Sequence, residues 1–217
     1  MSMSARDTVP ASGRDIKLYY SPGACSLSPH IALAEAGLAY TLERVDLKTK
    51  KTETGVDFFT INPIGFVPVL QLDDGQLLTE GPAIVQYIAD LAPAKKLAPP
   101  AGSFERVRLQ EALNFISTEL HKSFSPLFNP AAPEEWKTFT RGLIGRRLDV
   151  IEQKLAGRDY LLGEFSVADG YLFTFLGWGR LVGVDVREGR PLLAAYIDRV
   201  KARPGVQQAL KEEGLLK

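Results

Sequence analysis

Residues 16–46 read IKLYYSPGACSLSPHIALAEAGLAYTLERVD, and this stretch decides the fold. Ile16 to Tyr20 is a short run of β-prone residues, and Ser21, Pro22 and Gly23 then supply a turn. Leu27, Ile31 and Ala34 recur at helical spacing behind that turn, and Gly37 fits the left-handed cap that ends a helix. Tyr40 to Asp46 alternates, with Tyr40, Leu42, Arg44 and Asp46 on one side and Thr41, Glu43 and Val45 on the other. Strand, helix, strand makes a βαβ unit, and its crossover is right-handed.

Farther along, Val67 to Leu72 predicts a third strand. Asp73, Asp74 and Gly75, placed before Leu77, Leu78 and Thr79, are a hairpin signal joining antiparallel neighbours. Pro82 suits the first turn of a helix, whose apolar face is Ala83, Ile84, Tyr87, Ile88 and Leu91. Residues 16–92 therefore read βαβ, connector, ββα. Pro93, Pro99 and Pro100 interrupt all periodicity and mark residues 93–103 as a linker. Beyond it Leu109, Leu113, Ile116 and Leu120 form a helical stripe, and helical patterns continue through 136–155, 167–181 and 192–203. The expected fold class is α/β plus all-α, with a small α/β domain followed by an all-helical domain over 104–217.

The chain has 217 residues, enough for one large or two small domains. Lys plus Arg and Asp plus Glu each number 26, so the formal charge is zero, which argues against a nucleic-acid binder or a polybasic membrane anchor. With 45% hydrophobic and 24% charged residues the composition is that of a globular protein rather than a disordered or fibrous one. A single cysteine makes no intramolecular disulfide, and with only two histidines the chain is too poor in ligands for a structural zinc site. No apolar run approaches the roughly 20 residues of a membrane helix, and the first fifteen residues lack the apolar stretch of a secretory signal. These features predict a soluble protein of a reducing cytoplasm. Residues 1–15 read as a polar disordered leader or an artefact of the start site.

Four places carry candidate chemistry, and two more are read as structural. Cys25 follows the Pro22-Gly23-Ala24 turn where a helix begins, so its sulfur faces unpaired N–H groups and the positive end of the helix dipole, a setting that favours thiolate. Ser26 offers a hydroxyl donor beside it; a lone cysteine is otherwise a small buried hydrophobe. His30 lies about 140° around the helix from Cys25 and reads as structural or exposed. Asn114, Thr118 and His121 fall within about 20° on one face, offset from the leucine stripe, and form either a solvated surface or the wall of a cleft, with Lys122 beside them. Pro68 removes a ladder donor where a cis peptide is usable, leaving the N–H and C=O of Val67 free for a peptide-like ligand; a trans edge proline is the ordinary alternative. The amides of Thr79-Glu80-Gly81, before a helix, suit a carboxylate while Glu80 suits an ammonium, unless Glu80 is merely a first-turn acid. Ser166-Val167-Ala168-Asp169 is a capping pattern, read as a folding signal.

In order and spacing, these segments resemble a glutathione transferase, specifically the bacterial beta class and close to members associated with aromatic-degradation pathways. The resemblance rests on YYSPGACSLSPH at 19–30, NPIGFVP at 62–68, TEGPAIVQY at 79–87, NFISTELHK at 114–122 and the Ser166 to Asp169 box. It runs from Ile16 to the C-terminus and leaves out only the leader. It implies a thioredoxin-like N-terminal domain, an all-helical C-terminal domain, and a homodimer binding glutathione with no metal. Val67 is then expected to pair its backbone with the cysteinyl part of glutathione ahead of a cis Pro68. Glu80 and Gly81 would hold the γ-glutamyl end, Asn114 would reach in from the other subunit, and Lys50 would approach the glycyl carboxylate unless Lys48 to Lys51 is simply a solvated charge run. Cys25 would face the glutathione sulfur and form a mixed disulfide with it, with His121 as hydrogen-bond partner and Ser26 assisting. Phe124, Phe128 and Trp178 are the candidates for an apolar electrophile pocket. The implied activity is attack of the glutathione thiolate on small hydrophobic electrophiles, with dehalogenation of chlorinated intermediates as a subsidiary use. A glutaredoxin-like monothiol reductase and a non-catalytic ligand carrier are the alternatives. No Tyr or Ser stands at position 25, which sets the chain apart from classes that activate glutathione with a hydroxyl there.

Overall fold

The computed structural model describes residues 15–216, so the expected leader lies, apart from Asp15, outside the described residues. The opening is β1 (Ile16–Tyr20), α1 (Leu27–Ala36) and β2 (Tyr40–Asp46), with Gly37 closing α1 at φ 66°. β1 and β2 pair in parallel from Ile16 opposite Tyr40 to Tyr20 opposite Arg44. β3 (Lys51–Thr52), β4 (Val69–Gln71) and β5 (Leu77–Leu78) complete one five-stranded sheet of order β3-β2-β1-β4-β5. β4 runs antiparallel to β1, with Leu18 opposite Leu70, and the hairpin joins it to β5. The third strand starts two residues later than the sequence predicts, because Pro68 has no N–H to give a neighbour. β3 was not expected: a two-residue strand inside a lysine-rich run carries no periodicity to read.

α1 is the axis of the molecule. Its buried side chains include Leu27, Ile31, Leu33 and Ala36, and it packs on α2 (Gly81–Leu91) to one side and on the helical domain to the other. A single apolar core runs from Leu18 and Leu70 through Ile31 to Tyr171, Phe175 and Val206. The opposite face of the sheet is covered by the connector, where Phe58 packs against Tyr19, Val45, Val67 and Val69. The linker is pinned to both bodies rather than loose: Leu97 is buried, its carbonyl accepts from Val167 N–H at 2.9 Å, and buried Arg106 donates to Pro99 O at 2.7 Å while pairing with Asp90.

The helical domain begins with α3 (Phe104–Phe115), which passes into a π-helical turn over Ile116–His121 and a 3₁₀ turn over Lys122–Phe124 before α4 (Ser125–Phe128). α5 (Glu134–Lys154), α6 (Val167–Leu176), α7 (Pro191–Lys201) and α8 (Pro204–Glu212) follow. The Leu109, Leu113, Ile116 and Leu120 stripe is buried throughout. The pattern expected to run to residue 181 breaks at Gly177, and a separate 3₁₀ turn covers Gly179–Leu181. α8 was not read from the sequence, because Pro204-Gly205 looks like a stop; here Pro204 instead opens the helix, where a missing N–H costs nothing. Asp169 accepts from the N–H and hydroxyl of Ser166 at 2.8 and 3.1 Å and from Leu161 N–H and Tyr196 O–H at 3.0 Å each. The capping pattern thus ties the start of α6 to α7.

Candidate active site

A cleft of about 740 Å³ separates the α/β domain from the helical one. Its floor is the loop between β1 and α1. The Ser26 hydroxyl accepts from Ser21 N–H at 3.0 Å and donates to Ser21 O at 3.2 Å, closing the turn on itself. Both polar groups of Gly23 are held by the helical domain: its N–H donates to Glu213 at 2.8 Å and its carbonyl accepts from Trp178 Nε1 at 2.8 Å. His30, fully buried beneath, bridges Glu213 at 2.9 Å and Glu212 at 2.7 Å and has a structural place only. Ser26 is therefore not a free donor beside the sulfur, since the backbone of Ser21 already uses its hydroxyl.

Cys25 is half-buried on the cleft, and its Sγ donates to Val67 O at 3.0 Å. Burial pushes its pKa up to about 11, against the N–H groups of Cys25 and Ser26, which pull it down; Glu80 adds to the rise and Lys122 opposes it. The expected thiolate is thus a thiol in the free protein. The helix start does supply donors, but desolvation of the charged sulfur outweighs them. The Val67–Pro68 bond is cis. Because the carbonyl of Val67 is taken by Cys25, only its N–H has no partner among the described residues, one free group where the sequence suggested two.

Thr79, Glu80 and Gly81 line the cleft at the start of α2. Glu80 sits at φ 67°, a conformation that costs a side chain about 1–3 kcal/mol and that surrounding structure must hold in place. Gly81 has no room for more: a Cβ there would lie 3.0 Å from the Tyr171 ring. Lys50 stands behind the wall, its Nζ donating to Gly65 O at 2.8 Å and lying 5.4 Å from the ring centre of Phe66, which does line the cleft.

The opposite wall is helical. A π turn advances fewer degrees per residue than an α-helix, so the sevenfold spacing of Asn114, Thr118 and His121 does not keep them on one face. Ser117 and His121 face the cleft, whereas Asn114 and Thr118 are exposed elsewhere. Phe128 and Trp178 line the cleft; Phe124 is buried behind them, edge-on to Trp178 at 5.6 Å, and forms no part of the wall. The His121 ring stacks on Phe175 at 4.1 Å, and burial, aided by Lys122, lowers its pKa to about 4. It is neutral at physiological pH. Tyr171, which the sequence hides within an apolar helix, brings its hydroxyl to the cleft 3.4 Å from His121 Nδ1. Its one signal is a lone phenol in the ten-residue run VADGYLFTFL.

Among the described residues no three or more His, Cys, Asp or Glu side chains gather as a metal site would need, and no helix is long and apolar enough to cross a membrane. The glutathione S-transferase N-terminal domain family matches residues 23–91 and the corresponding C-terminal domain family matches 115–204. The chain is 48% identical over 201 residues to glutathione S-transferase GstA of Escherichia coli O157:H7, covering 92% of this chain and all of that one. BphK, a bacterial glutathione transferase solved as a ternary complex, is 60% identical with a TM-score of 0.90 over 92% of this chain and 100% of its own. A bacterial beta-class enzyme from Sphingomonas chungbukensis is 49% identical with a TM-score of 0.89 over the same shares. With a thioredoxin-like domain, a helical partner domain and a shared cleft, the chain belongs to the glutathione S-transferase family.

Proposed function

We propose that the chain is a beta-class transferase joining glutathione to small apolar electrophiles, the glutathione thiolate attacking a halogenated carbon, an activated alkene or a disulfide. One observation carries this reading: the Cys25 thiol, the unpaired N–H of Val67 and the start of α2 all face one cleft, across from Phe128 and Trp178. The Val67 N–H pairs with the cysteinyl carbonyl of glutathione. The Gly81 amide and the positive end of α2 take the γ-glutamyl carboxylate, and Glu80 takes its ammonium. Lys50, one layer behind Phe66, draws the glycyl carboxylate. Asn114, exposed and away from its own cleft, contributes to the other site of a homodimer. Phe128 and Trp178 give the electrophile an apolar face, with Phe124 supporting the indole from behind. Neutral His121 donates to the glutathione sulfur and so stabilises its charge. Ser26 acts by shaping the loop. A cytoplasmic setting suits the single free thiol.

With oxidised glutathione, the Cys25 sulfur loses its proton to solvent and attacks one sulfur of the disulfide; that bond breaks, one glutathione stays on Cys25 and the other leaves as thiolate. Dehalogenation is the subsidiary use: one glutathione displaces chloride, a second thiol attacks the resulting thioether sulfur, and the freed carbon takes a proton as the disulfide forms. Intact mass after incubation with oxidised glutathione, for wild type and Cys25→Ala, tests the core of the reading. An adduct of roughly 305 Da on wild type alone, with turnover of an aryl halide, is expected. No adduct and no retention on immobilised glutathione would overturn it. Disulfide reduction without conjugation would make the chain glutaredoxin-like, and tight dye binding without any turnover would make it a carrier.

A further inference from the structure

We propose that Tyr171 is a positioning residue that fixes His121 as the Nε2–H tautomer, so that the imidazole meets the cleft as a hydrogen-bond donor. This rests on the transferase reading for its consequence, though not for its geometry. Tyr171 is almost wholly buried on α6, yet its hydroxyl opens on the cleft. The ring is clamped: Phe175 packs edge-to-face at 4.8 Å, His121 stands at 85° to it, and the absent Cβ of Gly81 leaves space that the ring edge fills. A side chain larger than hydrogen at position 81 would displace the phenol. The hydroxyl is therefore held where it stands, 3.4 Å from His121 Nδ1.

The proton inventory follows. Burial raises the Tyr171 pKa well above the ordinary phenol range, so the group stays O–H and has one proton to give. His121 Nδ1 is the phenol's only hydrogen-bond partner among the described residues, so the proton it has to give goes there. A nitrogen that accepts must carry a lone pair, and a neutral imidazole has one N–H, so the proton sits on Nε2. Stacking on Phe175 sets the ring plane and the phenol sets which edge is the donor. Nε2 has no hydrogen bond among the described residues, so that donor is available to the sulfur of a bound thiolate. In this state His121 stabilises a charge already formed and does not remove the proton that forms it.

The test uses the full chain labelled with ¹⁵N-histidine, in which only two histidines contribute. Nitrogen shifts of His121 in the glutathione-free protein between pH 6 and 8 are expected to show an unprotonated Nδ1 and a protonated Nε2. In Tyr171→Phe, which keeps the ring and loses the hydroxyl, the two tautomers become comparable in population. With glutathione and an aryl halide, kcat falls about fivefold, KM for glutathione holds within about twofold, and the pH at which the bound thiol ionises moves up. A wild-type spectrum with the proton on Nδ1 overturns the proposal without any variant, as does a tautomer unchanged in Tyr171→Phe or a changed tautomer with an unchanged pH profile. An Nε2–H tautomer in a protein with no conjugating activity would leave the positioning intact and defeat the transferase reading instead.

Discussion

Alkylation of Cys25 gives the sharpest test of the cleft's electrostatics, because the chain has no other thiol to compete. The ordinary thiol value of 9.0 becomes about 11 in the folded protein, with burial as the main cause. At pH 7 that change lowers the thiolate population from about one in a hundred to about one in ten thousand, so iodoacetamide reacts about a hundredfold more slowly than with an unfolded chain. The Sγ to Val67 O bond acts in the same direction, because it needs the proton. The rate of mass gain, followed from pH 6 to 10.5, is expected to climb about tenfold per unit with no plateau below pH 10. Replacing Lys122 by Ala removes a favourable charge and slows the reaction, while Glu80→Gln speeds it. A plateau by pH 8 in the folded protein would refute the reasoning: the N–H groups at the start of α1 would then dominate desolvation, and Cys25 would be a thiolate before any ligand arrives.

Three further expectations follow from the same geometry. His121, with a pKa of about 4 against 6.5, holds fewer protons than the unfolded chain between those values. Stability it contributes is present above pH 6.5 and is lost as pH falls toward 4, by about 3 kcal/mol, so urea midpoints of wild type should drop over that window more than those of His121→Asn. Gly205→Ala would set a Cβ 2.8 Å from the backbone N of Glu35 and 2.7 Å from its Cγ. The helix-propensity gain of about 1 kcal/mol does not offset that overlap, and calorimetry should show a Tm about 2–4 °C lower; an unchanged Tm would mean α8 shifts freely. Ser28→Ala removes a buried hydroxyl that has no partner and should stabilise by about 1 kcal/mol, with a lower midpoint pointing to an ordered water there.

The opening βαβ unit, the hairpin and the α6 capping pattern were legible because each depends on residues close together in the chain. Gly37 ends α1 whatever lies around it, and Asp74-Gly75 turns the chain by its own backbone preferences. The site was legible as far as the resemblance carried residue identities: Cys25, Val67, Glu80, Gly81, His121, Phe128 and Trp178 all face the cleft. What escaped depends on distant partners. The π turn slips the register between Asn114 and His121, and nothing in NFISTELHK announces it. The Ser26 hydroxyl looked available because its acceptor is a backbone carbonyl. The state of the Cys25 proton turned on how much protein covers it, a quantity no local pattern encodes.

The grip on Gly23 also bears on the order in which this protein can be finished during synthesis. Its carbonyl waits for a tryptophan 155 positions later and its N–H for a glutamate 190 positions later. The sheet and α1 leave the ribosome while both partners are still to be synthesised, so the β1–α1 loop emerges with neither of its tertiary anchors. It acquires the second only when Glu213, just past the end of α8, has been released. A chain cut short between residues 182 and 212 would keep every residue on the cleft wall and still lack one of the two bonds that tie Gly23 to the helical domain.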